Sequence, residues 1–168
     1  MPHQFQLLEL AGALKQMADL AQARSASVIA TQDVPRDKTG SYGIVATEGF
    51  EGRSGRITAI VEKPAPDVAP STLAVVGRYV LSPRIFRLLE ETRPGTGGEI
   101  QLTDAISALL AEETALAYRF KGTRFDCGTH IGLIEATIRY ALDHEKLSDP
   151  ARETMTRALA EMGVIDLD

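Results

Sequence analysis

Apolar residues in this chain recur at two spacings, and the alternation between them predicts helices layered on strands. Across residues 5–24, Leu7, Leu10, Ala11, Leu14, Met17, Ala18 and Ala21 fall three and four apart, the period of one helical face. Val28-Ile29-Ala30 follows as a short buried strand rich in β-branched residues. Residues 32–42 carry Pro35, Gly40 and many charges and read as a surface loop, closed by Gly43-Ile44-Val45-Ala46 as a second strand. Residues 47–56, with Gly49, Gly52 and Gly55, suit a hairpin connection to a third strand, Ile57-Thr58-Ala59-Ile60-Val61-Glu62-Lys63-Pro64, so strands two and three should be neighbours. A proline-rich loop then leads into residues 73–81, apolar on both faces as in a central strand. Gly77 inside it predicts a bulge, or the close approach of a ligand or neighbouring backbone.

Ser82-Pro83 reads as a helix start with serine as N-cap, and Ile85, Phe86, Leu88 and Leu89 supply its buried face as far as Glu91. Residues 94–98 break the chain. That glycine-rich run contains neither G-x-G-x-x-G nor G-x-x-x-x-G-K-[ST]; Thr96-Gly97-Gly98-Glu99 matches a capping box ahead of a helix with the face Leu102, Ala105, Ile106, Leu109 and Leu110. Residues 115–120 and 123–126 read as short strands. Gly128-Thr129 opens a helix facing inward through Ile131, Ile134, Ile138, Ala141 and Leu142, and Asp149-Pro150 begins a peripheral tail helix over about residues 148–168.

Composition bounds what such a chain can be. With 44% hydrophobic and 24% charged residues it has an ordinary globular balance, and its 168 residues suffice for one soluble domain with a core. A net charge of -5 argues against nucleic acid or an anionic membrane as a partner. Cys127 is the only cysteine, and His3, His130 and His144 lack zinc-like spacing, so neither a disulfide nor a structural zinc site is expected. No apolar run approaches a membrane span and no secretory leader is evident, which makes the cytoplasm the expected location.

Two places carry candidate chemistry. The third strand ends in Glu62 and Lys63 before a chain-stopping proline, which biases Lys63 towards extended geometry and sets the pair at a strand's carboxyl end, where open α/β sheets bind ligands. A charged strand end before a loop is also common without any function. Asp126, ahead of a helix N-terminus, could ligate a cation beside bound phosphate or accept hydrogen bonds from helix amides.

Five blocks occur in a fixed order: Ser41-Tyr42-Gly43-Ile44-Val45, Ile60-Val61-Glu62-Lys63-Pro64, Val76-Gly77-Arg78-Tyr79-Val80-Leu81, Gly98-Glu99-Ile100-Gln101-Leu102-Thr103-Asp104-Ala105-Ile106 and Asp126-Cys127-Gly128. In these the chain resembles the bacterial UTP-glucose-1-phosphate uridylyltransferases from about Leu14 to Leu147. The resemblance implies a Rossmann-like mixed-sheet α/β nucleotidyltransferase fold that joins glucose 1-phosphate to UTP with Mg2+, releasing UDP-glucose and pyrophosphate. It implies that Glu62 holds sugar hydroxyls and Lys63 the sugar phosphate, and that Asp126 is one of two magnesium-binding aspartates, with Lys63 and Asp126 the catalytic residues. Tyr42, Gly43 and Gly77 would line the sugar site. Such transfer needs positioned oxygens and neutralised charge rather than a protein nucleophile. The family's first portion, with its G-x-G-T-R segment, has no counterpart here. The expectation is therefore a single incomplete domain, truncated at the N-terminus and inactive alone, which meets UTP only when the other half is supplied and is a homo-oligomer in the intact family. The alternative is a non-catalytic relic or binding subunit associating with an intact homologue.

Overall fold

The computed structural model describes residues 12–95 and 98–165. Leu7, Leu10 and Ala11 of the first predicted face, and Thr96 of the predicted capping box, lie outside them. The chain divides into two compact units, residues 1–122 and 123–168.

In the first unit, helix α1 (Ala13–Arg24) precedes strand β1 (Ser27–Asp33), a 3-10 turn (Arg36–Ser41), the strands β2 (Gly43–Glu51), β3 (Ser54–Glu62) and β4 (Leu73–Val80), the helices α2 (Arg84–Glu91) and α3 (Leu102–Glu112), and strand β5 (Ala115–Tyr118). The sheet is mixed, as expected, but closed rather than open, in the order β1-β4-β2-β3-β5, with β5 returning to pair parallel with β1. The β2–β3 hairpin makes closure possible. Its strands run through the segment expected to be a connection and turn at residues 52–53. Two register shifts interrupt the pairing, and bulges add twist. One end of the hairpin thus meets β4 at Ile44 and Ala74, while the other meets β5 at residues 54–56.

The main core lies between the strands and the α2–α3 pair, built from Ile29, Val45, Ile57, Ile60, Leu73 and Val75 against Ile85, Leu88, Ile106 and Leu109. Truncating a side chain as buried as Leu109 costs roughly 2–5 kcal/mol. A smaller cluster puts α1 on the other face through Met17, Val28 and Ala30. Leu14 and Ala18 of the predicted α1 face are exposed; Leu20 and Gln16 take their place. Gln16 turns inward because its Oε1 accepts from the Lys121 amide and its Nε2 donates to the Lys121 carbonyl, at 2.8 and 2.9 Å.

Gly77 does mark a bulge. Ile29 pairs with Tyr79 and Thr31 with Val75, so one residue of β1 stands against three of β4, and the extra chain is taken up at Gly77 with φ +72°. Two predicted caps are replaced. The Ser82 hydroxyl donates to the Glu113 carboxylate instead of capping α2, and α3 begins at Leu102, too late for Glu99 to close a capping box.

The second unit contains α4 (His130–Asp143) and α5 (Ser148–Glu161). Residues 123–126 are not a strand. Thr129 is the N-cap of α4, accepting from the Gly132 amide at 3.1 Å. The predicted inner face of α4 is not enclosed: Ile131, Ile134 and Ile138 are exposed.

Candidate functional site

The open end of the β2–β3 hairpin assembles the first site. Gly43 pairs with Glu62, the last bridge of the ladder, and the Lys63 amide donates to the Tyr42 carbonyl at 3.0 Å just beyond it. Side chains alternate across a sheet, so Glu62 shares the core-facing side with buried Ile60 and ends up at the rim, about a third exposed. Gly43 lies in the floor beside it. A Cβ built there would meet Thr103 Cγ2 at 3.3 Å, Glu62 Oε2 at 3.4 Å and Val75 Cγ2 at 3.8 Å. A side chain at 43 would therefore fill the space next to the carboxylate.

Lys63 departs from the extended geometry expected of a residue before proline. Its φ is +45°, in the left-handed region. In a continued strand its side chain would leave by the face opposite Glu62. The left-handed turn brings Lys63 Nζ to 3.7 Å from Glu62 Oε1 instead. The ammonium is well exposed, so the ion pair contributes little to folding and leaves the lysine able to take an anion.

Two further side chains belong here that sequence reasoning did not single out. Tyr79, on β4, is half-buried; burial and then the Glu62 charge push its phenol above the ordinary value of 10.0. Thr103, in the first turn of α3, is buried, and its Oγ1 has no hydrogen-bond partner among the described residues. The signal for Thr103 was its spacing of three and seven from Ile106 and Leu110, which puts it on the helix's inner face.

Gly77 is exposed on its bulge, and a Cβ there would touch nothing within 4 Å. Asp126 belongs to the second unit and is exposed. Its Oδ1 accepts from the Gly128 amide at 3.2 Å, while its carbonyl accepts from the Thr129 amide and hydroxyl. The α4 amide that it could have capped is taken by Thr129, so the carboxylate is not committed to the helix. No group of three or more His, Cys, Asp or Glu side chains fit for a metal forms among the described residues. A single carboxylate suits an ion such as Mg2+, which is held by one or two carboxylates with substrate phosphates and water, and does not suit an ion needing a complete protein cage.

At this strand end a carboxylate and an exposed ammonium stand together beside a floor that carries no side chain. Residues 6–142 match the nucleotidyl transferase family, and the chain belongs to it. Within that class it is similar to the UTP–glucose-1-phosphate uridylyltransferase of Pseudomonas aeruginosa, 49% identical over 130 residues that make up 77% of this chain and 47% of that protein. The enzyme of the same name from Streptococcus pneumoniae is 43% identical over 88% of this chain and 50% of its own. Among solved structures, a UDP-glucose pyrophosphorylase complexed with UDP-glucose superposes with a TM-score of 0.73 at 42% identity, over 79% of this chain and 50% of that one. A UTP-bound UGPase from Acinetobacter baumannii gives 0.73 at 41%, over 84% and 49%. The chain spans about half the length of the relatives it matches.

Proposed function

We propose that this chain is the sugar-phosphate-binding part of a UTP-glucose-1-phosphate uridylyltransferase. The observation that carries the reading is the convergence of Glu62 and Lys63 on one side of a strand end beside Gly43. Glu62 accepts hydrogen bonds from sugar hydroxyls, and Lys63 holds the phosphate. Tyr42 and Gly43 line the sugar, and Gly77 contacts it. In the reaction, an oxygen of that phosphate forms a bond to the α-phosphorus of UTP as the bond to the leaving pyrophosphate breaks. Lys63 binds and orients the attacking phosphate and offsets its charge, so that two anions can approach. Asp126 would be a ligand of Mg2+, which when bound supplies positive charge to phosphate oxygens. Nucleotide binding falls to the part of the relatives' fold that this chain does not span.

The protein is read as cytoplasmic and its assembled form as a homo-oligomer; no helix among the described residues is long and apolar enough to cross a membrane. The exposed stripe Ile131, Ile134 and Ile138 on α4 favours a second reading, a binding subunit that associates with an intact homologue.

The test is to assay UDP-glucose formation from UTP, glucose 1-phosphate and Mg2+ with the pure chain, and then with a separately expressed N-terminal half of a homologous enzyme. The expected result is no product from the chain alone and turnover on combination, abolished by Asp126→Asn and lowered by Lys63→Ala. Turnover by the pure chain would refute the incomplete-enzyme reading, and a physical complex without turnover would favour the binding subunit.

A further inference from the structure

We propose that Thr39 is a positioning residue for Lys63: its buried hydroxyl holds the chain in the left-handed turn that aims the lysine at a sugar's phosphate. The inference rests on the reading of Lys63 as the phosphate-binding group. A left-handed conformation is unfavourable for a lysine, and more so ahead of proline, so it persists only where the surroundings hold it.

The surroundings here are one segment, the 3-10 turn Arg36–Ser41 and the residue after it. On the N-terminal side of Lys63, its own amide donates to the Tyr42 carbonyl at 3.0 Å. On the C-terminal side, the carbonyl of Pro64 accepts from Thr39 Oγ1 at 3.3 Å. The single proton of that hydroxyl is shared with the Arg36 carbonyl, 2.9 Å away, so the hydroxyl bridges its own turn and Pro64. Thr39 is completely buried, and Pro64 is buried with it. Further along the loop, Arg36 Nη1 donates to the carbonyls of Pro66 at 2.6 Å and Ala69 at 3.2 Å. The segment 36–42 therefore grips the chain on both sides of Lys63, and Thr39 supplies a buried side-chain contact in that grip. Without it, the strain at Lys63 is relieved towards extended backbone, which swings the ammonium away from Glu62.

A hydroxyl that only closed its own turn would affect stability and leave ligand preference alone. The two roles are separated by titrating the full chain with glucose 1-phosphate and with glucose, followed by amide NMR shifts, for the wild type, Thr39→Val, Thr39→Ser, Lys63→Ala and the Thr39→Val/Lys63→Ala double variant. Thr39→Val should weaken glucose 1-phosphate about tenfold, the scale of one lost charge-assisted contact, and leave glucose unchanged. Thr39→Ser should restore the preference for the phosphorylated sugar, and in the Lys63→Ala background Thr39→Val should have no further effect. The Lys63 amide should also exchange faster in Thr39→Val. Should that variant fail to fold, Thr39→Cys, which replaces the hydroxyl with a weak S–H donor, carries the same expectation. Wild-type preference in Thr39→Val or Thr39→Cys, with a weakened Lys63→Ala, would overturn the role of Thr39 alone. Equal binding by the wild type and Lys63→Ala would overturn the reading of Lys63, and the inference with it.

Discussion

The Glu62-Lys63 strand end and the Asp126 turn look alike in sequence, each an acid at the end of a short segment just before a break, yet the fold builds them differently. Around Glu62, the neighbours come from far along the chain: Gly43 from the paired strand, where an added Cβ would meet Glu62 together with Val75 of β4 and Thr103 of α3, and Tyr79, whose phenol feels the Glu62 charge. Around Asp126 they come from Gly128, Thr129 and Gly132, all within six residues. The first carboxylate is thus placed by tertiary structure, at the end of a strand paired with Gly43. The second is offered by a local turn and stands exposed. Placement by distant segments pre-organises the first carboxylate, whereas the second moves with its own turn.

Gly132→Ala should expose the local character of the second site with the largest effect. A Cβ at 132 would collide with the Asp126 carbonyl and lie 2.9 Å from Thr129 Oγ1, so the first turn of α4 and the Asp126 turn could not both keep their positions. Backbone cannot yield as a flexible side chain can, and the expected cost to the unit containing α4 is about 3 kcal/mol. Proteolysis or hydrogen exchange should show residues 123–147 loosened, with protection of the β2–β3 hairpin unchanged. Loss of protection in both regions together would break the contrast.

Gly43→Ala tests the first site with a smaller and more selective effect. The new methyl would press on Thr103 Cγ2 and Glu62 Oε2, at 3.3 and 3.4 Å, and the carboxylate is the one that can move. Stability should change by no more than about 1 kcal/mol while glucose 1-phosphate affinity falls about tenfold, read from a melting curve and a titration on the same sample. A large stability loss with unaltered affinity would mean that Gly43 serves packing instead.

Much of this fold was legible because apolar periodicity reports burial directly. The strand at 73–80 and the α3 face follow from it, and the bulge from a glycine, Gly77, inside that strand. What periodicity cannot register is where one segment's polar groups find partners in another. Gln16 turns inward for the backbone of Lys121, and Ser82 leaves its helix for Glu113. The site divides in the same way. Glu62 and Lys63 could be named from the chain, but their convergence depends on a left-handed lysine that the local rule for residues before proline predicts against. The α4 stripe failed in the other direction: its period is correct, and no described residue encloses it.

The smallest effect belongs to Tyr79 and sharpens the contrast through pH. Burial is the larger cause of its raised phenol pKa and the Glu62 charge the lesser, so the folded chain holds this proton above pH 10.0, where an unfolded one releases it. The associated stability is complete below the unfolded pKa and is lost as pH rises through the higher folded value. Urea midpoints measured across the alkaline range should therefore fall less steeply in Tyr79→Phe than in the wild type. Glu62→Gln should recover only part of that difference, because desolvation of the phenol remains. Asp126→Asn should leave the alkaline slope untouched, since neither burial nor the Glu62 charge depends on that turn. A Tyr79→Phe chain with the wild-type slope would assign the alkaline loss to other groups and remove Tyr79 from the field of the Glu62 carboxylate.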